Sequence, residues 1–391
     1  MKNNLGIAIV HITQYFHPLK GYQENQFAKY HKNNFARVFI IASCNTRLWG
    51  SIPKNVLEKL DLEYTQKTGV EVIRLKTFPL VISDRIFSSG LIKKLNQINP
   101  DYIYVHSLSS TLTILTSYWI SLNKKKKHIK TIIDDHMVYV ASRNFFSSLL
   151  YKLLSFVFLR RFLSAYDKWI AVSEETKEFL IDKFSKKLIN KIEVIPLGVD
   201  LGLFKHDLEA REKTRLRLNL EQHTKLIVYT GKRDNRKNPL ILLPTLKRLM
   251  NQGLNYKLLL VGENINYYDD SINQYISKNI ELKGRVIIKP PVRNEELLAI
   301  YSAADCAIWP NQSSMSMLEA MACLCPVIAS DIKVNVERLG DGRGVLFVNG
   351  DIESLINAIL KVNDMSNSLT DTAYRWVKNY SWEKLAEKAL E

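Results

Sequence analysis

The sequence predicts an α/β protein built from two Rossmann-like domains, and three observations carry that expectation. Short β-branched runs alternate with helix-period segments through the first half of the chain, and a second such series fills the second half. Between the two series, at residues 196–211, strand signals give way to proline, glycine and charge. Residues 317–331 read Met-Leu-Glu-Ala-Met-Ala-Cys-Leu-Cys-Pro-Val-Ile-Ala-Ser-Asp. That is a helix with a carboxylate near its start, then a tight turn, then a buried strand.

Taken in order, the first series of strands falls at 7–12, 38–42, 70–75, 102–105, 130–133, 168–172 and 192–195. The second falls at 226–229, 257–261, 286–289, 306–309, 327–329 and 345–347. Helical patterns such as 239–251 and 295–304 separate them. This alternation predicts parallel sheets with helices on both faces. The expected domains are 1–200 and 201–372. A terminal helix over 373–391, centred on Trp376, Tyr380, Trp382 and Leu385, is expected to pack back on the first domain.

A chain of 391 residues is long enough for two cores. No apolar run approaches the roughly 20 residues that span a bilayer. Residues 1–4 lead straight into a strand, without the order of a secretory signal. Cys44, Cys306, Cys323 and Cys325 show no metal-ligand spacing, and three of them lie in apolar surroundings. They read as free thiols of a reducing compartment, so a cytoplasmic protein is expected. The formal net charge of +16 points to an anionic partner. A phosphorylated substrate or an anionic membrane surface fits; no nucleic-acid motif accompanies the charge, so nucleic acid is not expected.

The chemistry concentrates at predicted strand ends. Glu319 falls in the first or second turn of a helix opening near 314–316, where a carboxylate can accept ribose hydroxyls beside phosphate oxygens. Ser316-Met317-Leu318-Glu319 is also a capping-box sequence, in which Glu319 would only cap its own helix. Gly231-Lys232-Arg233-Asp234-Asn235-Arg236-Lys237-Asn238-Pro239 joins a strand to a helix and gathers several cations at a sheet edge. Cations there can neutralise a diphosphate leaving group. Gly21, in a strand-to-helix loop, would let backbone N–H groups approach a phosphate. His136 follows the strand at 130–133, and His106 follows the strand at 102–105. The pairs Asp134–Asp135 and Asp269–Asp270 lack supporting ligands in sequence, so no metal is expected. Residues 145–163 read as an apolar, basic helix suited either to a buried position or to a membrane interface, and 124–127 add a lysine cluster.

These segments, in this order, resemble the retaining GT-B glycosyltransferases of family 4 (glycosyl transferases group 1). The resemblance covers nearly the whole chain. It runs from Pro18-Leu19-Lys20-Gly21-Tyr22-Gln23-Glu24 through Ile195-Pro196-Leu197-Gly198-Val199-Asp200 and the basic loop to 317–331. It implies two Rossmann-like domains facing each other across a cleft. It also implies transfer of a sugar from a nucleotide-sugar, UDP favoured over GDP, to a glycan or lipid-linked acceptor. The roles implied are ribose binding for Glu319, diphosphate stabilisation for Lys232 and Lys237, and sugar placement for His136. Arg233, Arg293, Asn311, Ser313, Ser314, Met315 and Ser316 fall on donor-side positions, and Asn238 stands where the family often has glycine. The family's pattern of two glutamates separated by seven residues is incomplete. Eight residues before Glu319 stands Asn311, and an alternative alignment puts Ser313 there. That departure implies an altered sugar preference, a lowered rate, or a catalytically impaired subunit that binds a partner enzyme or membrane.

Overall fold

A computed structural model describes residues 6–48, 50–82, 85–124, 128–137, 164–312 and 314–391. The expected helix at 145–163, the lysines at 125–127 and Ser313 lie outside the described residues. The chain divides into two compact units, one of Met1–Leu197 with Trp382–Glu391, the other of Gly198–Ser381.

The first unit contains β1 (Ala8–Thr13), β2 (Arg37–Ser43), β3 (Glu71–Leu75), β4 (Thr77–Ile82), β5 (Arg85–Ser88), β6 (Tyr102–His106), β7 (Lys130–Asp135), β8 (Lys168–Ala171) and β9 (Ile192–Val194). Seven of these form one sheet in the order β3-β2-β1-β6-β7-β8-β9. Every pairing in that sheet is parallel. All six residues of β1 are buried, as a central strand covered on both faces requires. Separate hydrophobic clusters, one around Ile12, Val105 and Trp169 and one around Ile9, Ile40 and Tyr64, pack on the sheet. The antiparallel hairpin β4–β5 was not expected from sequence. Pro79 within β4 disguises it, since proline demotes a run to an edge position.

The second unit contains β10 (Lys225–Thr230), β11 (Tyr256–Val261), β12 (Val286–Lys289), β13 (Cys306–Trp309), β14 (Val327–Ser330) and β15 (Val345–Phe347). Their order is β12-β11-β10-β13-β14-β15, all parallel. This is the doubly wound order of dinucleotide-binding sheets, and it reverses direction between β10 and β13. One continuous core from Val199 to Val377 holds the unit together.

The expected terminal helix over 373–391 is two elements. A long helix, Ile352–Val377, ends in a 3-10 turn, Lys378–Tyr380. Ser381 then takes an extended conformation (φ −64°, ψ 138°), and a separate helix, Trp382–Leu390, begins. The second unit is fastened where it starts and ends, because Val199 N–H donates to the Tyr380 carbonyl at 2.9 Å. Only the helix from Trp382 joins the first unit, so the return falls at 381/382 and not at 373. The Pro-Leu-Gly-Val-Asp segment is explained locally. Asp200 accepts the N–H groups of Gly202 and Leu203, and Val199 and Phe204 are buried in the second core.

Candidate functional site

In the second unit, the loops leaving β10 and β13 meet where the strand order reverses. Trp309, at the end of β13, donates its indole N–H to the carbonyl of Thr230, at the end of β10. After Thr230 the backbone turns through Gly231, with φ +147°. Gly262, after β11, has the same φ, and a Cβ there would come within 1.8 Å of the Gly231 carbonyl oxygen. The two strand ends are therefore closer than any side chain permits. Asp234 then shapes the loop, its Oδ1 accepting the Lys237 N–H at 2.9 Å. Asn238 sits in the left-handed region at φ 49°, which explains why asparagine can stand where glycine is usual.

The Lys237 ammonium donates to the Gln312 carbonyl at 3.0 Å and so joins the two loops. Arg338 donates to the Ser314 carbonyl at 3.1 Å. Asn335 donates to the Asn311 carbonyl at 3.0 Å and to Ser330 at 2.9 Å. Burial pushes the Lys237 ammonium down to about 8; Asp234 opposes this, and the positive charges of Arg236, Arg338 and Lys232 add to it. Four cations thus lie near one another, Arg236 paired with Asp234 and Lys232 with Glu263. Like charges held together in a half-buried loop form an anion-binding arrangement.

Glu319 lies in the seven-residue helix Ser316–Ala322 and is 9% exposed. Burial alone lifts its carboxyl to about 8, with no cation among the described residues lowering it. The capping-box alternative does not form. The cap position is Met315, which makes no side-chain cap bond, while the Ser316 hydroxyl contacts Ser314 and the Thr230 carbonyl. A buried carboxylate without a counter-charge suits a ligand that supplies hydroxyl donors.

Other expected residues are placed differently. Arg233 is turned inward with its side chain 3% exposed. It grips Asp269 through Nε and Nη2, at 2.5 and 2.6 Å, and donates through Nη1 to the Gly262 and Lys289 carbonyls. It clamps the ends of β11 and β12 under the loop instead of presenting a free cation, and Asp269 serves that clamp. Lys232 is exposed and 3.5 Å from Glu263. Arg293 is exposed beside Glu296 at the start of the helix Asn294–Ala303. In the first unit, Gly21 lies partly buried just before the helix Gln23–His31. His136 follows β7 with its ring half-exposed, its Nε2 4.0 Å from the Asp134 carboxylate.

Sequence reasoning missed Arg338, Asn335 and Gly262. Arg338 and Asn335 come from the helix Lys333–Leu339, beyond the motif. The single local signal for Gly262 is a glycine directly after a strand.

Two doubly wound parallel sheets, one with a cationic switch-point loop beside a buried carboxylate, define the GT-B class of fold. A family model described as "Glycosyl transferases group 1" matches residues 224–364, and one described as "Glycosyltransferase Family 4" matches residues 53–203. The D-inositol 3-phosphate glycosyltransferase of Xylanimonas cellulosilytica is 26% identical over 59% of this chain and 57% of that relative. That of Rhodococcus erythropolis is 26% identical over 51% of this chain and 48% of its own length. The chain therefore spans about half the length of these curated relatives. Among solved structures, HepE of Anabaena in complex with UDP superposes with a TM-score of 0.74 at 15% identity, covering 98% of both chains. A glycosyltransferase from Rickettsia africae superposes with a TM-score of 0.71 at 17% identity, covering 98% of this chain and 97% of that one. The two family models, matching one segment in each half of the chain, support a family 4-like glycosyltransferase, and the fold is GT-B.

Proposed function

We propose that this protein is a retaining glycosyltransferase that moves a sugar from a UDP-sugar to a glycan or lipid-linked acceptor in cell-surface polysaccharide or glycolipid synthesis. The observation that carries the reading is that Lys237 and Arg338 bind the Gln312 and Ser314 carbonyls, on the loop leading into the helix of the buried Glu319. A diphosphate supplies the anion and a ribose supplies the hydroxyls. Glu319 accepts the ribose hydroxyls, and the cations take up the charge that develops on the leaving diphosphate. The acceptor hydroxyl attacks from the face the leaving group departs, the donor phosphate takes its proton, and His136 places the sugar. No step calls for a metal. The Anabaena HepE structure is a complex with UDP, which supports this choice of carrier.

A second reading rests on Asn311, which stands where the family has its first glutamate. A catalytically impaired subunit would keep the nucleotide site and lose transfer. Thermal shifts with UDP, GDP, duplex DNA and RNA test the first step, and UDP is expected to raise the melting temperature most. No shift at millimolar nucleotide would refute the donor site. A UDP shift without hydrolysis or transfer of any UDP-sugar would favour the impaired subunit. The net charge and the segment at 145–163 support peripheral membrane binding; among the described residues no helix is long and apolar enough to cross a membrane. Equal sedimentation with neutral and anionic vesicles would refute it.

A further inference from the structure

Three histidines of the first unit form one buried hydrogen-bonded chain. His31 Nε2 meets the Ala386 carbonyl at 2.9 Å. His31 Nδ1 meets His11 Nε2 at 3.0 Å, and His11 Nδ1 meets His106 Nε2 at 3.0 Å. His106 Nδ1 meets Asp134 Oδ2 at 2.8 Å. All four residues are at least nine-tenths buried, and Tyr104 stacks against His11 and His106. The chain joins the helix Trp382–Leu390 to the C-terminal ends of β6 and β7, where Asp134 sits two residues before His136.

Proton counting fixes the donors. A carbonyl only accepts, so His31 carries its proton on Nε2. Its Nδ1 then accepts from His11 Nε2–H, and His11 Nδ1 accepts from His106 Nε2–H. The bond to Asp134 needs one more proton. Four hydrogen bonds require four protons, and three neutral imidazoles supply three, so the fourth sits on His106 or on Asp134. Burial pushes the Asp134 carboxyl up, but the charge of His106 and its hydrogen bond outweigh burial and leave the carboxyl below its usual value. Burial, with the Coulombic effect of its histidine neighbours, lowers His11, and burial lowers His31 to about 4. Asp134 is therefore held as a carboxylate, 2.8 Å from His106 Nδ1.

Asp134 has a second oxygen. Its Oδ1 is buried without a hydrogen bond of ordinary geometry, and the Tyr104 hydroxyl, which also lacks one, interacts with the same carboxylate. Oδ1 lies 4.0 Å from His136 Nε2, about 1 Å beyond an ordinary N–H···O bond. The adjacent Asp135 fixes the loop backbone, accepting the N–H groups of Leu108 and Met137 at 2.7 Å each. Tyr104, Glu24 and Asp135 are the other titratable groups around this carboxylate.

We infer that Asp134 is the positioning residue for His136: the relay His31–His11–His106 holds it as a carboxylate whose Oδ1 accepts the His136 Nε2–H. That leaves His136 Nδ1 as the acceptor turned to a sugar hydroxyl. The link to sugar rests on the role proposed above for His136; the relay and the tautomer do not.

Long-range 1H–15N spectra of the full chain labelled with 15N-histidine at pH 7 test it. Expected are neutral Nε2–H tautomers at His31, His11 and His136. A His136 that populates both tautomers equally overturns the inference. In Asp134→Asn, the amide can still donate to His106 Nδ1, and the His136 tautomer bias is expected to fall. An unchanged His136 spectrum in a folded variant also overturns it. With a transferable UDP-sugar, kcat for Asp134→Asn is expected to fall on the order of 10- to 100-fold. UDP affinity should stay unchanged, because the nucleotide site is in the other unit. If wild type transfers nothing, the proposed function fails while the spectra still decide the relay.

Discussion

The C-terminal edges of the two sheets share a topology and treat charge in opposite ways. At the β1–β6 edge, His11, His106 and the Asp134 Oδ2 bond one another deep in the unit. At the β10–β13 edge, Lys237 has like charges near it in Arg236, Arg338 and Lys232, and Glu319 is buried with no cation among the described residues offsetting its burial. Buried polar groups that are paired specify a structure, and those that are unpaired cost stability. The second edge keeps that cost, and a bound anion with hydroxyl donors would remove it. Of two similar switch points, the one rich in cations is the one we propose for the ligand.

The largest expected effect breaks the second edge outright. Gly262→Ala drives a Cβ into the Gly231 carbonyl at a backbone angle that alanine avoids. It should cost about 3–5 kcal/mol, lowering the melting temperature by roughly 10 °C, and displace the basic loop. A melting temperature equal to wild type would show that the two strand ends are not pressed together.

Removing one cation comes next. Lys237→Ala and Arg338→Ala should each weaken UDP by on the order of 10- to 100-fold, read by calorimetry. Because both hold the same loop, the double variant should lose less than the sum. Wild-type UDP affinity should also fall as pH rises through about 8, where the unliganded Lys237 loses its proton. Strict additivity, or a flat profile between pH 7 and 9, would separate these residues from the phosphates.

Glu319→Gln sharpens the comparison through its sign. The carboxyl titrates at about 8 in the folded chain, above its unfolded value. Stability from the protonated form is complete at low pH and is lost as pH rises through 8. The glutamine variant should therefore gain roughly 1–3 kcal/mol at pH 9 and little at pH 5, while binding UDP more weakly. Ribose hydroxyls favour the ionised carboxylate, so wild-type UDP binding at pH 7 should release protons, visible as a buffer-dependent enthalpy. Equal stability gain at both pH values would contradict the buried, unpaired carboxyl.

The smallest effect is Arg293→Ala. Its exposed side chain pairs with the neighbouring Glu296, so stability should move by less than about 0.5 kcal/mol and UDP affinity by less than about threefold. A larger loss of affinity would put Arg293 in contact with the donor.

The sequence by itself determined the elements and the motifs that sit on one turn or one loop. Strand and helix periods follow from short-range burial, so both alternating series, the segment 196–200 and the carboxylate helix at 316–322 were legible. So was the basic loop, because its cations are neighbours in sequence. Tertiary structure decided what each of those groups does. Arg233 and Lys237 look alike four residues apart, yet one is spent on Asp269 and two carbonyls, and the other joins Gln312 across the switch point. Arg338 reaches the Ser314 carbonyl from a separate helix 24 residues on, and the relay needs β1, β6, β7 and the last helix together. Strand order and register set such pairings, and no local pattern in the chain records them.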